Sequence, residues 1–87
     1  MKVILKPLSG TAEGNLDRAR AEIDRVLAFR GSVTSVEAEG KGIMVEFAMN
    51  PAWDLPEPEK VKSLKEWIPA KVRTVFKVVR VSGGEHE

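Results

Sequence analysis

The residues able to do chemistry are few in this chain and scattered along it. Its one histidine, His86, stands in a terminal Glu85-His86-Glu87 run. A metal site needs further ligands at rigid positions, and that run supplies none, so no metal is expected. Ser9, Ser32 and Ser63 have no imidazole partner within a regular element, which leaves none of them an activated nucleophile. Glu37 and Glu46 are expected as solvated diagonal neighbours on adjoining strands rather than as an acid–base couple. The loop SGTAEG (9–14) is glycine-rich and precedes a helix, a place where backbone N–H groups can hold phosphate. It lacks the Gly-Lys-Ser/Thr and Gly-x-Gly-x-x-Gly patterns and carries no cation, so it reads as turn chemistry. There is no cysteine, which excludes disulfides, thiolate metal sites, iron–sulfur clusters and thiol nucleophiles. The expectation is a protein with no catalytic residue, no cofactor and no small-molecule substrate.

The elements that would position a binding surface are clearer. KVILK (2–6) is a short strand, ended by Pro7. Asn15 is suited to cap a helix running to about Phe29, with Leu16, Ala19, Ile23, Val26 and Leu27 at helical spacing. Arg18–Glu22 and Arg20–Asp24 lie four residues apart on its polar face, and Gly31 suits a C-cap. Val33–Glu39 and Ile43–Met49 read as two strands around Gly40–Lys41, with glycine where a type II′ hairpin turn needs it. Opposing Glu39 to Gly42 sets Ala38 against Ile43, Val36 against Val45 and Thr34 against Phe47, one apolar face. The stretch NPAWDLPEP (50–58) is a connection, and Pro58 can open a second helix at its first position. That helix buries Val61, Leu64 and Ile68 and is expected to stop at Pro69. Lys71–Val81 reads as a long last strand, and residues 83–87 as a loose tail.

The order β-α-β-β-α-β predicts an α+β fold, the ferredoxin-like sandwich, as one domain over residues 1–82. Its four-stranded antiparallel sheet would have the order 4-1-3-2, with both helices on one face and the other face open. In the third strand, GKGIMVEF (40–47) resembles a signature of the RNA-recognition motif, and KVILKPL (2–8) resembles that family's first-strand signature. The family stacks bases on aromatics of these strands. The stacking positions are Ile4, Gly42 and Met44 here, and Phe47 points to the core, so the resemblance implies the scaffold and not its RNA-binding apparatus.

Alternation assigns the open face. It takes Lys2, Ile4 and Lys6 from strand one; Val33, Ser35 and Glu37 from strand two; Met44, Glu46 and Ala48 from strand three; and Arg73, Val75, Lys77 and Val79 from strand four. Ile4, Met44 and Val75 form an apolar middle between basic and acidic halves. An apolar patch of this kind on a small domain marks an interface. The partner-binding set is therefore Lys2, Ile4, Lys6, Met44, Glu46, Arg73, Val75 and Lys77, and the expected function is association with a protein, either a second copy or a different chain. The alternative is weak binding of single-stranded nucleic acid along Lys2, Lys6, Lys71, Arg73 and Lys77. It draws on a basic segment, residues 60–80, that carries seven cations against one anion. It is opposed by the acidic half of the face and by the lack of exposed aromatics for stacking. Trp53 and Trp67 are expected to close the edge of the core. No apolar run approaches the roughly 20 residues that cross a bilayer, and MKVILKPLSG is too short a match to a signal peptide, so a cytoplasmic protein without membrane contact is expected.

Overall fold

A computed structural model describes residues 1–72 and 76–82. Its elements are β1 (Lys2–Pro7), α1 (Leu16–Leu27), β2 (Gly31–Glu39), β3 (Gly42–Met49), α2 (Glu57–Lys71) and β4 (Phe76–Ser82). The class is α+β, a four-stranded antiparallel sheet and two helices. The sheet order is β2-β3-β1-β4, which counted from the β4 edge reads 4-1-3-2. Arg73, Thr74, Val75 and the tail 83–87, with Glu85, His86 and Glu87, lie outside the described residues.

Period-two alternation places Val3 and Leu5 of β1 and Ile43, Val45 and Phe47 of β3 on the inward side, all buried. They join Ala19, Ile23, Val26 and Leu27 of α1 and Leu64 and Ile68 of α2 in one core. Val61 is only half-buried.

The β2–β3 hairpin turns at Gly40, whose φ of +62° is open to glycine and costly to other residues. From Glu39↔Gly42 through Ser35↔Glu46 the pairing follows the expected register. Then it slips: Val33, not Thr34, sits opposite Phe47. The extra residue is a β-bulge, which returns Val33 to the core side instead of the open face. A second bulge lies in the β1–β4 pairing. Leu5 faces Val78 and Ile4 faces Arg80, so Val79 is the surplus residue and is 58% exposed. Arg80 thereby replaces Val79 on the side shared with Ile4, while Val78 and Val81 pack on the core.

Several helix expectations are corrected. Asn15 does not cap α1 with its side chain. It is buried, and its Nδ2 donates to the Ser9 and Thr11 carbonyls at 3.1 and 2.6 Å, because a 3₁₀ turn over Glu13–Asn15 carries the chain into the helix. The Arg18–Glu22 and Arg20–Asp24 pairs are not made. Glu22 pairs with Arg25 one turn on, and Asp24 accepts the Val33 N–H at 3.2 Å. Pro69 does not end α2, which runs on to Lys71, with the Val72 N–H donating to the Ile68 carbonyl. A proline this near the C-terminus removes one ladder bond from a helix in which only Ala70 and Lys71 remain. Lys71 is thus helical, and Pro58 takes the second position of α2 behind Glu57.

Gly31 does not cap α1 either; it opens β2. The helix ends three residues earlier at Ala28, whose φ of 52° and ψ of −124° are strained for a residue with a Cβ. Clamps on both sides hold it there. The Ala28 N–H donates to the Asp24 carbonyl, and Asn50 bonds the carbonyls of Phe29 and Arg30, both at 2.8 Å. Ala28→Gly is therefore expected to stabilise the fold by about 1 kcal/mol, the relieved strain less glycine's extra chain entropy. The urea midpoint checks it, and an unchanged or lowered midpoint rejects it.

Candidate functional site

The side of the sheet turned away from the core carries Lys2, Ile4 and Lys6 of β1 and Met44 and Glu46 of β3. With them are Ser35 and Glu37 of β2 and Lys77 and Arg80 of β4. Six of the eight residues assigned to the site from sequence, Lys2, Ile4, Lys6, Met44, Glu46 and Lys77, are thus brought together. Arg73 and Val75 lie outside the described residues. Lys71, assigned to the nucleic-acid alternative, stands on α2 and leaves the face.

Register orders these side chains in rows across the sheet. Arg80 faces Ile4, Ile4 faces Met44, and Met44 faces Glu37. The next row runs Ser82, Lys2, Glu46, Ser35. On the other side Lys77 faces Lys6 near the β1 end, and Glu39 closes the β2 end. Strands spaced about 4.8 Å apart put Arg80 roughly 14 Å from Glu37, with the two apolar side chains between them. Ile4 and Met44 are half-buried, and the charged ends are exposed. Lys2 Nζ lies 3.7 Å from Glu46 Oε1 with both side chains well exposed, a pair that orients more than it stabilises. Glu37 and Glu46 are diagonal neighbours, with Glu46 turned to Lys2.

Arg80's place on the face is not legible in the sequence, because KVVRV (77–81) has no phase of its own: three valines fit either side of a strand. Both tryptophans are half-buried against the core, as expected, but they also line a groove away from this face, with Arg30 between them. Near the SGTAEG loop, Lys6 and Lys41 line a hollow that the loop's own composition did not announce. Among the described residues no cluster of three metal-ligating side chains occurs, and no helix is long and apolar enough to cross a membrane. No protein-family model matches the chain, and comparison with curated proteins and with solved structures gives no match.

Proposed function

We propose that this chain is a small, non-enzymatic protein-interaction module of ferredoxin-like architecture, whose open sheet face pairs with a second copy of itself. The observation that carries the reading is the row Arg80–Ile4–Met44–Glu37, a cation and an anion at equal distances from an apolar centre. Two such faces meet around a two-fold axis lying between them. With the axis along the strands, Arg80 comes over the partner copy's acidic β2 edge, and Ile4 comes over its Met44 position. The flanking rows follow: Lys2 meets the glutamate of the β3 row, and Lys77 meets the Glu39 end. An axis across the strands would set basic edge on basic edge, so the charges select one alignment. This is the self-complementarity that an isologous contact requires.

The Ile4–Met44 centre supplies the driving force, at roughly 25 cal/mol per Å² before association costs. A face four strands wide and about six residues long measures roughly 19 by 20 Å. That is a small interface, and association in the micromolar range is expected. A protein partner is favoured over nucleic acid because no aromatic side chain among the described residues lies on the face and its β2–β3 half is acidic.

Sedimentation equilibrium across micromolar concentrations tests the reading. Wild type is expected to dimerise. Met44→Glu, which buries a charge in the centre of the contact without touching the core, is expected to weaken the dimer at least about tenfold. Glu37→Arg and Arg80→Glu should each weaken it, and the double exchange should recover much of the loss. A wild type that stays monomeric, or a Met44→Glu dimer as tight as wild type, rejects the proposal.

A further inference from the structure

Away from the sheet face, Arg30, Trp53, Leu55, Trp67, Ala70 and Lys71 line a groove of about 530 Å³, within the range of sites that hold small ligands or a few residues of peptide. Its walls are held in place. Trp67 Nε1 donates to the Val26 carbonyl at 2.9 Å, fixing the indole against α1. Asn50 fixes the opposite wall. Its Nδ2 and backbone N–H bond the Phe29 and Arg30 carbonyls, its Oδ1 accepts from the Ala52 N–H at 3.0 Å, and its carbonyl accepts from the Trp53 N–H at 3.0 Å.

Two cations converge on one ring here. The Arg30 guanidinium carbon lies 4.4 Å from the Trp67 ring centre, and Lys71 Nζ lies 4.7 Å from it. Arg30 also stacks on Phe29 at 4.7 Å and reaches Trp53 at 5.9 Å. Among the described residues neither cation forms an ion pair, and no acceptor takes a hydrogen bond from the guanidinium. Like charges gathered on a ring repel, and the ring quadrupoles offset only part of this. A guanidinium held by its flat faces keeps its N–H edge free, the arrangement that receives a carboxylate through two parallel bonds.

We propose that this groove binds a short acidic segment of a second protein, one carboxylate resting between Arg30 and Lys71 and a neighbouring apolar side chain against Trp53, Leu55 and Ala70. The surroundings decide against a polyanion. Glu66 lines the groove, and Asp54, Glu57 and Glu59 stand on the adjoining loop and helix start, so a run of phosphates would meet more repulsion than a single carboxylate does. The Trp67 ring, engaged by both cations, is also a poor platform for a stacked base. This surface is separate from the sheet face and needs no dimer.

Trp53 and Trp67 are the only tryptophans in the chain, so intrinsic fluorescence reports on the groove directly. The probe is the capped peptide acetyl-Gly-Leu-Glu-Leu-Gly-amide, titrated beside its glutamine analogue and a short oligouridylate. The glutamate peptide should give a saturable change and bind about tenfold more tightly than the glutamine form. Lys71→Gln, at an exposed position where the fold is not at risk, should weaken it at least about fivefold. Arg30→Gln should weaken it further, and Met44→Glu should leave it unchanged. No saturable change up to millimolar peptide overturns the proposal. So does equal affinity for the two peptides, an unaffected Lys71→Gln, or saturation by the oligouridylate alone.

Discussion

Replacing Phe47 with alanine is expected to cost the fold about 3–5 kcal/mol, the usual loss when a large buried aromatic is truncated. Phe47 is 2% exposed on the sheet's inner side, paired with Val33 across the hairpin. The cost has two parts, the transfer free energy of the ring and the cavity left where the backbone cannot follow. Collapse is hindered because Phe47 is pinned on both sides of its peptide. Its N–H donates to the Met1 carbonyl at 2.9 Å, and its carbonyl accepts from the Met1 amino group at 2.8 Å. A domain of 87 residues has a total stability of roughly 4–13 kcal/mol, so this one change removes a large fraction of it. Urea unfolding followed by far-ultraviolet circular dichroism measures the loss, with the m-value as the check that the unfolding transition is otherwise alike. A loss below about 1 kcal/mol would mean that Phe47 is not a core residue, and the register of β3 would have to be redrawn.

Phe47 also shows where the fold could be read and where it could not. The inner side of β3 is legible because Ile43, Val45 and Phe47 alternate with Met44 and Glu46, and a glycine with positive φ marks the turn before them. The side taken by its neighbour is not legible, because a bulge inserts a residue without disturbing any hydrophobic pattern. Val33-Thr34-Ser35-Val36 fits a straight strand with Thr34 inward as easily as a bulged one with Val33 inward. The same ambiguity hid Arg80 behind Val78 and Val79. Pro69 signals a stop in the sequence, yet its ring is tolerated where α2 has almost run out. For the site, strand parity was enough to gather Lys2, Ile4, Lys6, Met44, Glu46 and Lys77. It could not gather Arg30, Trp67 and Lys71. Those residues meet through the packing of α1 on α2 and the Asn50 clamp, and no periodicity within either segment records such a meeting.

Gly31→Ala is expected to destabilise the protein by about 3 kcal/mol, the upper end of the overpacking range, and to disturb the tryptophan groove with it. The backbone at Gly31 is fully extended and strains no residue type, so the effect is purely one of space. A Cβ built there lies 2.5 Å from the Ala48 carbonyl oxygen and 3.5 Å from the Met49 Cα. These are backbone atoms of the neighbouring strand, and no side-chain rotation can clear them. Either β2 peels from β3 at the Gly31↔Met49 pair, or the start of β2 shifts as a unit. Both movements pull on Arg30, one residue earlier, whose carbonyl holds the Asn50 N–H at 2.8 Å and whose guanidinium rests on Trp67. The substitution should therefore lower the urea midpoint and also alter the tryptophan emission of the native state before any unfolding. Ala28→Gly, three residues away, should raise the midpoint and leave the emission as it was, since it relaxes the turn without moving its ends. If Gly31→Ala is as stable as wild type with the same native emission, then β2 and β3 are not as close at Ala48 as the fold requires, and the clamp that sets Arg30 against Trp67 loses its basis.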